Sequence, residues 1–184
     1  VIRSSDLNDL VYNGPKTAPY FGSFLNTINF KNFSISANIM YKLGYYFRKN
    51  SIDYGSFFSG ANLGNNDYLL RWQKPGDEKI TNVPSLIYPN PQNSDRDIFY
   101  RYSEVLIEKG DHIKLNDIRM SYMFRPRAKH LFNSIELSMY ASNLELFLWR
   151  ANKDKLDPDV IPTNSDFLYG LPGAVFSFGL KASF

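Results

Sequence analysis

The sequence predicts an all-β fold of antiparallel strands, and three observations support this prediction. Apolar and polar residues alternate with a period of two in five separate segments of the chain. The connections between those segments are alternately short and long. Aromatic residues make up 16% of the 184 residues, and such side chains favour pleated surfaces and the interfacial belts of membrane proteins.

The first two strands, at about 20–30 and 33–45, are predicted to form a tight hairpin. Only Lys31 and Asn32 separate them, and two-residue connections are the commonest in hairpins. From residue 33 onwards, the apolar positions of the alternation are Phe33, Ile35, Ala37, Ile39, Tyr41 and Leu43. The alternation lasts for about ten residues, which fits a half-buried strand and also a tilted strand that crosses a bilayer.

Three further strands are predicted at about 113–124, 134–142 and 174–184. In the third strand, Asp117 and Arg119 fall on one face and the apolar side chains on the other. The fourth strand alternates in the same way. In the fifth strand the apolar positions are Phe176, Phe178, Leu180, Ala182 and Phe184. The five strands therefore share one pattern, an apolar face opposite a polar face.

The lengths of the connections favour a transmembrane β-barrel of the bacterial outer membrane. The first two strands are joined by two residues and the third and fourth by roughly nine, whereas the other connections need roughly 30 to 70 residues. Outer-membrane barrels have short periplasmic turns and long extracellular loops. We therefore expect residues 1–19, 45–112 and 143–173 to be extracellular, with a short helix starting near Asn66 and Asp67 in the middle loop.

Five strands cannot close a barrel in a membrane, because an open edge in hydrocarbon leaves backbone groups unpaired. The chain begins at Val1 without an initiator Met or an apolar leader, so we expect the missing strands and any export signal to lie upstream. Residues 1–184 are then interpreted as the C-terminal part of one barrel domain. The alternative fold is a soluble β-sandwich that binds a ligand, although a sandwich of this size has about seven strands.

Composition excludes several other classes of protein. The chain has no Cys, so thiolate metal sites, disulfides and a catalytic Cys are excluded. A net charge of +3 is too small to indicate nucleic-acid binding. The charge-free stretches contain Asn, Ser, Gly and Pro, and none resembles a spanning helix of about 20 apolar residues.

Catalytic, metal and cofactor sites are not predicted, and we expect that the protein is not an enzyme. The two histidines, His112 and His130, are interpreted as solvated turn residues. An acidic cluster could offer oxygen ligands to Ca²⁺ but lacks the spacing of an EF-hand; it comprises Asp154, Asp157, Asp159 and Asp166. A basic turn is interpreted as a solvated loop and comprises Arg125, Arg127, Lys129 and His130.

Aromatic residues supply the remaining candidates. In the loops, rings that could contact a ligand or a partner, or pack within the loops, are those of Trp72, Tyr88, Tyr100, Tyr102 and Trp149. On the strands, side chains predicted to face lipid or form the aromatic girdle are Phe33, Ile35, Ile39, Tyr41, Tyr122, Phe176, Phe178 and Phe184, together with Tyr20.

Three segments carry a resemblance to a known family. They are Arg71-Trp72-Gln73-Lys74-Pro75-Gly76-Asp77-Glu78, the run from Tyr102 to Leu115, and Trp149-Arg150-Ala151-Asn152-Lys153 with Asp157-Pro158-Asp159. Together they resemble the C-terminal part of the SusC/RagA-like TonB-dependent transporters of Bacteroidetes outer membranes. One departure is Glu145-Leu146-Phe147-Leu148, where the family has a Gly-containing apolar turn.

The resemblance implies a barrel of about 22 strands, occluded by an N-terminal plug and covered by a SusD-like surface lipoprotein. It implies import of a nutrient, an oligosaccharide or a peptide, energised by TonB-ExbB-ExbD through parts that are not in this chain. It also implies that Phe184 belongs to the C-terminal signal read by the barrel-assembly machinery. A passive porin-like channel is a second alternative, since the plug that would distinguish it is absent.

Overall fold

A computed structural model describes residues 10–60, 67–89, 95–126, 133–160 and 173–184. The chain divides into two compact units. The first unit combines residues 1–14 with 46–108, and the second combines residues 15–45 with 109–184. The second unit contains the predicted strands, and most of the predicted middle loop lies in the first.

The second unit is built on a five-stranded antiparallel sheet with the strand order β1-β2-β5-β6-β7. Its strands are β1 (Tyr20–Phe30), β2 (Phe33–Leu43), β5 (His112–Phe124), β6 (Ser134–Arg150) and β7 (Val175–Ser183). The all-β prediction is confirmed for this unit. Within the described residues the sheet is open, with β1 and β7 at its edges.

The hairpin between β1 and β2 has the predicted two-residue connection. Phe30 pairs with Phe33, which leaves Lys31 and Asn32 as the loop. Lys31 adopts a φ of 53°, since the twist of a hairpin matches turns that contain a residue with positive φ. The backbone N–H of Met123 donates to the carbonyl of Asn32 at 2.8 Å. The turn is thereby attached to the neighbouring strand β5.

The register places apolar residues of all five strands on the same face of the sheet. One row across the sheet consists of Ile28, Ile35, Met120, Met139 and Phe178. A neighbouring row consists of Phe30, Phe33, Tyr122, Leu137 and Leu180. Many of these side chains are exposed, with Phe178 at 80% and Ile28 at 61%. This surface is called the apolar face below, and the opposite surface the polar face.

A β-bulge in β5 keeps its apolar residues on the apolar face. Asp117 pairs with Asn38 and Leu115 pairs with Ile39, so Asn116 is an extra residue between them. Because side chains alternate along a strand, one extra residue reverses the parity. Leu115 and Ile118 therefore lie on the same face although they are three residues apart.

The predicted boundaries of β6 and of the loop after it are wrong. The strand continues to Arg150 instead of stopping at about 142, so residues 143–150 belong to the sheet and not to the loop 143–173. Asn143, with a φ of 52°, lies at the irregular part of this strand. The register shifts there, and also near Leu148. The strand therefore includes Leu146 and Phe147 of the segment that departs from the family pattern.

The first unit contains short helices around a small core. The helices are α1 (Tyr54–Phe58), α2 (Asp67–Leu70) and α3 (Asp95–Tyr102), with 3-10 turns at Asp77–Lys79 and Glu104–Leu106. β3 (Tyr46–Arg48) pairs with β4 (Ile107–Lys109) in a two-stranded sheet. The buried core residues are Ile52, Tyr54, Val83, Tyr100 and Leu106.

The helix predicted near Asp67 is present as α2, while Asn66 lies outside the described residues. No helix among the described residues is long and apolar enough to cross a membrane.

Candidate functional site

Two lysines and a histidine lie together on the polar face, towards the end of the sheet where β2 ends. Lys42 of β2 pairs with His112 of β5, and Lys114 of β5 pairs with Met40. Lys42, His112 and Lys114 therefore share one face of two adjacent strands. Phe147 of β6 pairs with Lys114 on the other side, so its ring lies on the same face.

The carboxylate of Asp159 lies close to all three side chains. The Nζ of Lys42 lies 2.7 Å from its Oδ1, and the Nζ of Lys114 lies 3.1 Å from its Oδ2. The Nε2 of His112 lies 3.6 Å from the same Oδ2. Although the residue as a whole is exposed, the Asp159 side chain is only 24% exposed. This arrangement is called the Asp159 cluster below.

The lysines keep Asp159 charged. Burial raises the pKa of the carboxyl group, but the hydrogen bonds from Lys42 and Lys114 and the positive charges of these lysines lower it, and the net pKa is below the ordinary 3.8. At neutral pH the carboxylate is therefore ionised. The cluster is a partly buried, charge-assisted hydrogen-bond network of three side chains, next to the buried ring of His112.

The turn that presents Asp159 is closed by its own contacts. Asn152 is buried, and its side-chain amide donates to the carbonyl of Leu156 at 3.0 Å and accepts from the N–H of Leu156 at 2.7 Å. Lys155, between these residues, adopts a φ of 56°. The N–H of Asp159 donates to Oδ1 of Asp157 at 2.8 Å. These bonds hold the turn in shape without using the Asp159 carboxylate.

The prediction that His112 is a solvated turn residue is wrong, because its side chain is fully buried. Its Nδ1 lies 2.8 Å from the carbonyl oxygen of Gly110 and 3.2 Å from the hydroxyl of Tyr45. The ring of Phe147 packs edge-on against it, with 5.6 Å between the centroids. The Nε2 of His112 has no hydrogen-bond partner among the described residues.

Tyr45 and Asp111 connect the ends of β2 and β5. Oδ1 of Asp111 accepts hydrogen bonds from the N–H groups of Gly44 and Tyr45, at 2.6 and 3.3 Å. The ring of Tyr45 lies so close to Gly110 that a Cβ at that position would approach it to 2.4 Å. Burial raises the pKa of the Tyr45 hydroxyl, and the charges of Asp159, Asp157 and Asp111 raise it further. The hydroxyl therefore stays protonated beside these carboxylates.

The structure describes most residues of the predicted acidic cluster but only one residue of the predicted basic turn. Asp159 binds lysines, Asp157 accepts from the turn backbone, and Asp166 lies outside the described residues. In the part of the chain that the structure describes, no group of three or more His, Cys, Asp or Glu side chains is placed to hold a metal ion. Of the basic turn, only Arg125 is described, and it is exposed; the undescribed residues are Arg127, Lys129 and His130.

Three of the predicted loop aromatics are exposed in the first unit. Trp72 is 37% exposed and its Nε1 donates to the carbonyl of Thr81 at 2.6 Å. Tyr88 is 83% exposed, and Tyr102 is 69% exposed with the guanidinium of Arg48 5.7 Å from its ring centroid. The ring of Trp72 is thus fixed at one edge by a hydrogen bond, whereas Tyr88 and Tyr102 expose most of their surface to solvent.

The other two predicted aromatics lie in different surroundings. Tyr100 is a buried member of the core of the first unit, and its hydroxyl lies 2.8 Å from the Oγ of Ser51. Trp149 was expected in an extracellular loop, but it lies on β6 and pairs with Ile113 on the apolar face. Sequence reasoning therefore assigned Trp149 to the wrong element.

The residues predicted to face lipid lie on the strands or beside them. Those on the apolar face of the sheet are Phe33, Ile35, Ile39, Tyr41, Tyr122, Phe176 and Phe178. Ile35 and Ile39 are partly buried by their neighbours in the sheet. The ring of Tyr41 lies over Gly22, where a Cβ would come within 2.7 Å of its hydroxyl. Phe184 follows β7 and is 77% exposed.

Sequence reasoning did not bring the members of the Asp159 cluster together. Asp159 and His112 were considered separately, Lys114 and Asn152 fell only within family segments, and Lys42 was not singled out. One signal was available, because Lys114 lies in a strand between Ile113 and Leu115 and a charge on a strand usually has a partner. Its partner, Asp159, is 45 residues away in sequence.

No protein-family model and no curated protein matches the chain. Among solved structures, the chain is similar to the RagAB peptide importer in its open-open state, with 21% identity and a TM-score of 0.60 over 94% of this chain. It is also similar to the RagAB peptide transporter, with 22% identity and a TM-score of 0.59 over 94% of this chain. The chain spans 18% of the length of each. The likeness establishes a shared fold over one segment of those transporter chains.

Proposed function

We propose that this chain is the final five-strand segment of a TonB-dependent transporter barrel in the bacterial outer membrane, which imports a nutrient together with a SusD-like surface lipoprotein. The nutrient is an oligosaccharide or a peptide. In this proposal the chain provides strands and surface loops and catalyses no reaction. Energy comes from TonB-ExbB-ExbD through parts of the protein that lie outside this chain.

One observation carries the proposal, namely the continuous apolar face across all five strands. A soluble sheet covers such a face with a second layer, whereas a transmembrane barrel turns it towards lipid and its polar face towards the lumen. Phe176 and Phe178 at one edge strand and Phe24 and Ile28 at the other are all more than half exposed. The shared fold with a segment of RagAB importer chains supports the same conclusion.

The membrane proposal is tested on the native polypeptide, using an antibody against β7. We expect the polypeptide in the outer-membrane fraction, released only by detergent, with a mass several times that of this chain and with a lipoprotein bound. A detergent-independent soluble species with about the mass of this chain would establish the β-sandwich module instead.

Energy coupling is tested separately from membrane location. Uptake of the nutrient into cells should stop when the proton-motive force is dissipated or when TonB is removed. Uptake that continues unchanged under both conditions would support a passive porin-like channel. Detergent extraction reports the location of the polypeptide, and uptake reports energy coupling. The result of one experiment therefore does not determine the result of the other.

A further inference from the structure

The Asp159 cluster combines a carboxylate from a turn with donors from strands far away in sequence. Lys42 is 117 residues from Asp159, and Lys114 is 45 residues from it. The side chains of Lys42 and Lys114 are 32% and 11% exposed, and that of His112 is 1% exposed. Two ammonium donors and a buried imidazole ring are thus held close together by the sheet, on its polar face.

The hydrogen bonds within the turn do not use the Asp159 carboxylate, which instead joins the turn to the sheet. The bonds between Asn152 and Leu156, and between Asp157 and the backbone of Asp159, close the turn by themselves. The sheet fixes Lys42, His112 and Lys114 through the β2–β5 register. If the carboxylate of Asp159 moved away, Lys42, His112 and Lys114 would remain in place, because the strands position them.

One buried nitrogen beside Asp159 has no hydrogen-bond partner among the described residues. The Nε2 of His112 is buried and lies 3.6 Å from Oδ2 of Asp159, too far for a hydrogen bond. Buried side-chain nitrogens in native structures normally have a partner. Because Nδ1 of His112 donates to the carbonyl oxygen of Gly110, Nε2 of the neutral ring is an acceptor, so a ligand with a hydroxyl or amide N–H next to its carboxylate would give it a partner.

We propose that Lys42 and Lys114 form a binding site for the carboxylate of a ligand, beside the buried Nε2 of His112, and that Asp159 is an internal ligand which such a carboxylate displaces. The inference rests on the proposed function, because it places the polar face in the lumen. The ring of Phe147 borders the site, with the Nζ of Lys114 5.8 Å and the guanidinium of Arg150 4.6 Å from its centroid. The site therefore fits an organic acid that carries an apolar group beside its carboxylate.

The experiment uses the full-length transporter purified in detergent and two fluorescent tripeptides. The two peptides share an apolar C-terminal residue, but one ends in a free carboxylate and the other in an amide. Asp159→Ala removes the internal ligand, and Asp154→Ala on the same turn is the matched control. Asp159→Asn keeps the size of the side chain and guards against a loss of folding in the Ala variant.

We expect Asp159→Ala and Asp159→Asn to raise the affinity for the free-carboxylate peptide by about tenfold, because an internal competitor that occupies about nine-tenths of the sites leaves one-tenth free and lowers the apparent affinity by that factor. Affinity for the amide peptide should not change, and Asp154→Ala should alter neither. Adding Lys114→Gln to Asp159→Asn should abolish the gain.

Two results would overturn the inference. One is an unchanged affinity for the free-carboxylate peptide in both Asp159 variants, which would make the cluster a structural ion pair. The other is an equal gain for both peptides, which would indicate a loosened loop. Neither result affects the proposed function, which is decided by detergent extraction and by energy-dependent uptake.

Discussion

Asn38 and Asp117 face each other across β2 and β5, and Nδ2 of Asn38 donates to Oδ2 of Asp117 at 2.9 Å. The next residue of β2, Ile39, pairs with Leu115 and points to the opposite face. Two adjacent positions of one strand therefore have a polar partner on one side of the sheet and an apolar partner on the other. This relationship provides a direct test of which face meets lipid.

The first prediction compares Ile39→Arg with Asn38→Arg in the full-length barrel. We expect Ile39→Arg to cost about 2–4 kcal/mol if Ile39 lies at mid-depth, because the charge must enter hydrocarbon. Asn38→Arg should be tolerated, since the new charge lies beside the Asp117 carboxylate. The folded fraction after refolding into lipid vesicles measures both. Equal tolerance at the two positions would contradict the assignment of faces.

The second prediction concerns the bulge at Asn116. Deleting Asn116 should leave assembly of the barrel nearly normal, because Leu115 and Asp117 already pair with the adjacent residues Ile39 and Asn38, so the ladder becomes regular and both side chains keep their faces. Asn116→Ala keeps the residue count and should assemble at nearly the level of the unchanged protein. The amount of folded barrel in the outer membrane measures the difference. Loss of assembly in the deletion variant, beside normal assembly of Asn116→Ala, would contradict this register and show that the bulge itself is required.

The third prediction is a pH dependence of the turn that carries Asp159. The pKa of Asp159 is lowered in the folded protein, so the stabilisation is present above its ordinary value of 3.8 and is lost as the pH falls through the folded pKa. The hydrogen-exchange protection of residues 151–160, taken relative to the intrinsic exchange rate at each pH, should fall below about pH 4. In Asp159→Asn, hydrogen exchange of this turn should show no such transition in acid. If the transition persists in that variant, another titrating group is responsible for it.

The fourth prediction concerns the core of the first unit. Leu106 is 2% exposed and packs in the cluster that contains Tyr54 and Tyr100. Leu106→Ala should destabilise the unit by about 2–5 kcal/mol, because it removes buried methyl groups and leaves a cavity. Val105→Ala, at a neighbouring site that is 45% exposed, should cost about 0.5 kcal/mol or less. Native-state hydrogen exchange of residues 46–58 compares the two, and equal effects would contradict the core assignment.

The sequence was sufficient to predict the sheet and the hairpin. Period-two alternation is a local property, since residues two apart share a face whatever the rest of the chain does. Phe33, Ile35 and Ile39 were therefore placed correctly on one face, and the connection at Lys31 and Asn32 was recognised from its length. The segments 113–124 and 174–184 were located for the same reason, to within a residue of β5 and β7.

The tertiary structure decided what alternation cannot encode. The bulge at Asn116 reverses the parity within β5, and β6 continues through Leu146 and Phe147 because the neighbouring strand offers backbone partners there. His112 is buried and Asp159 is bonded to two lysines only because residues from distant parts of the chain meet on the polar face. Such contacts depend on pairs that are 45 to 117 residues apart, and a local pattern carries no information about them.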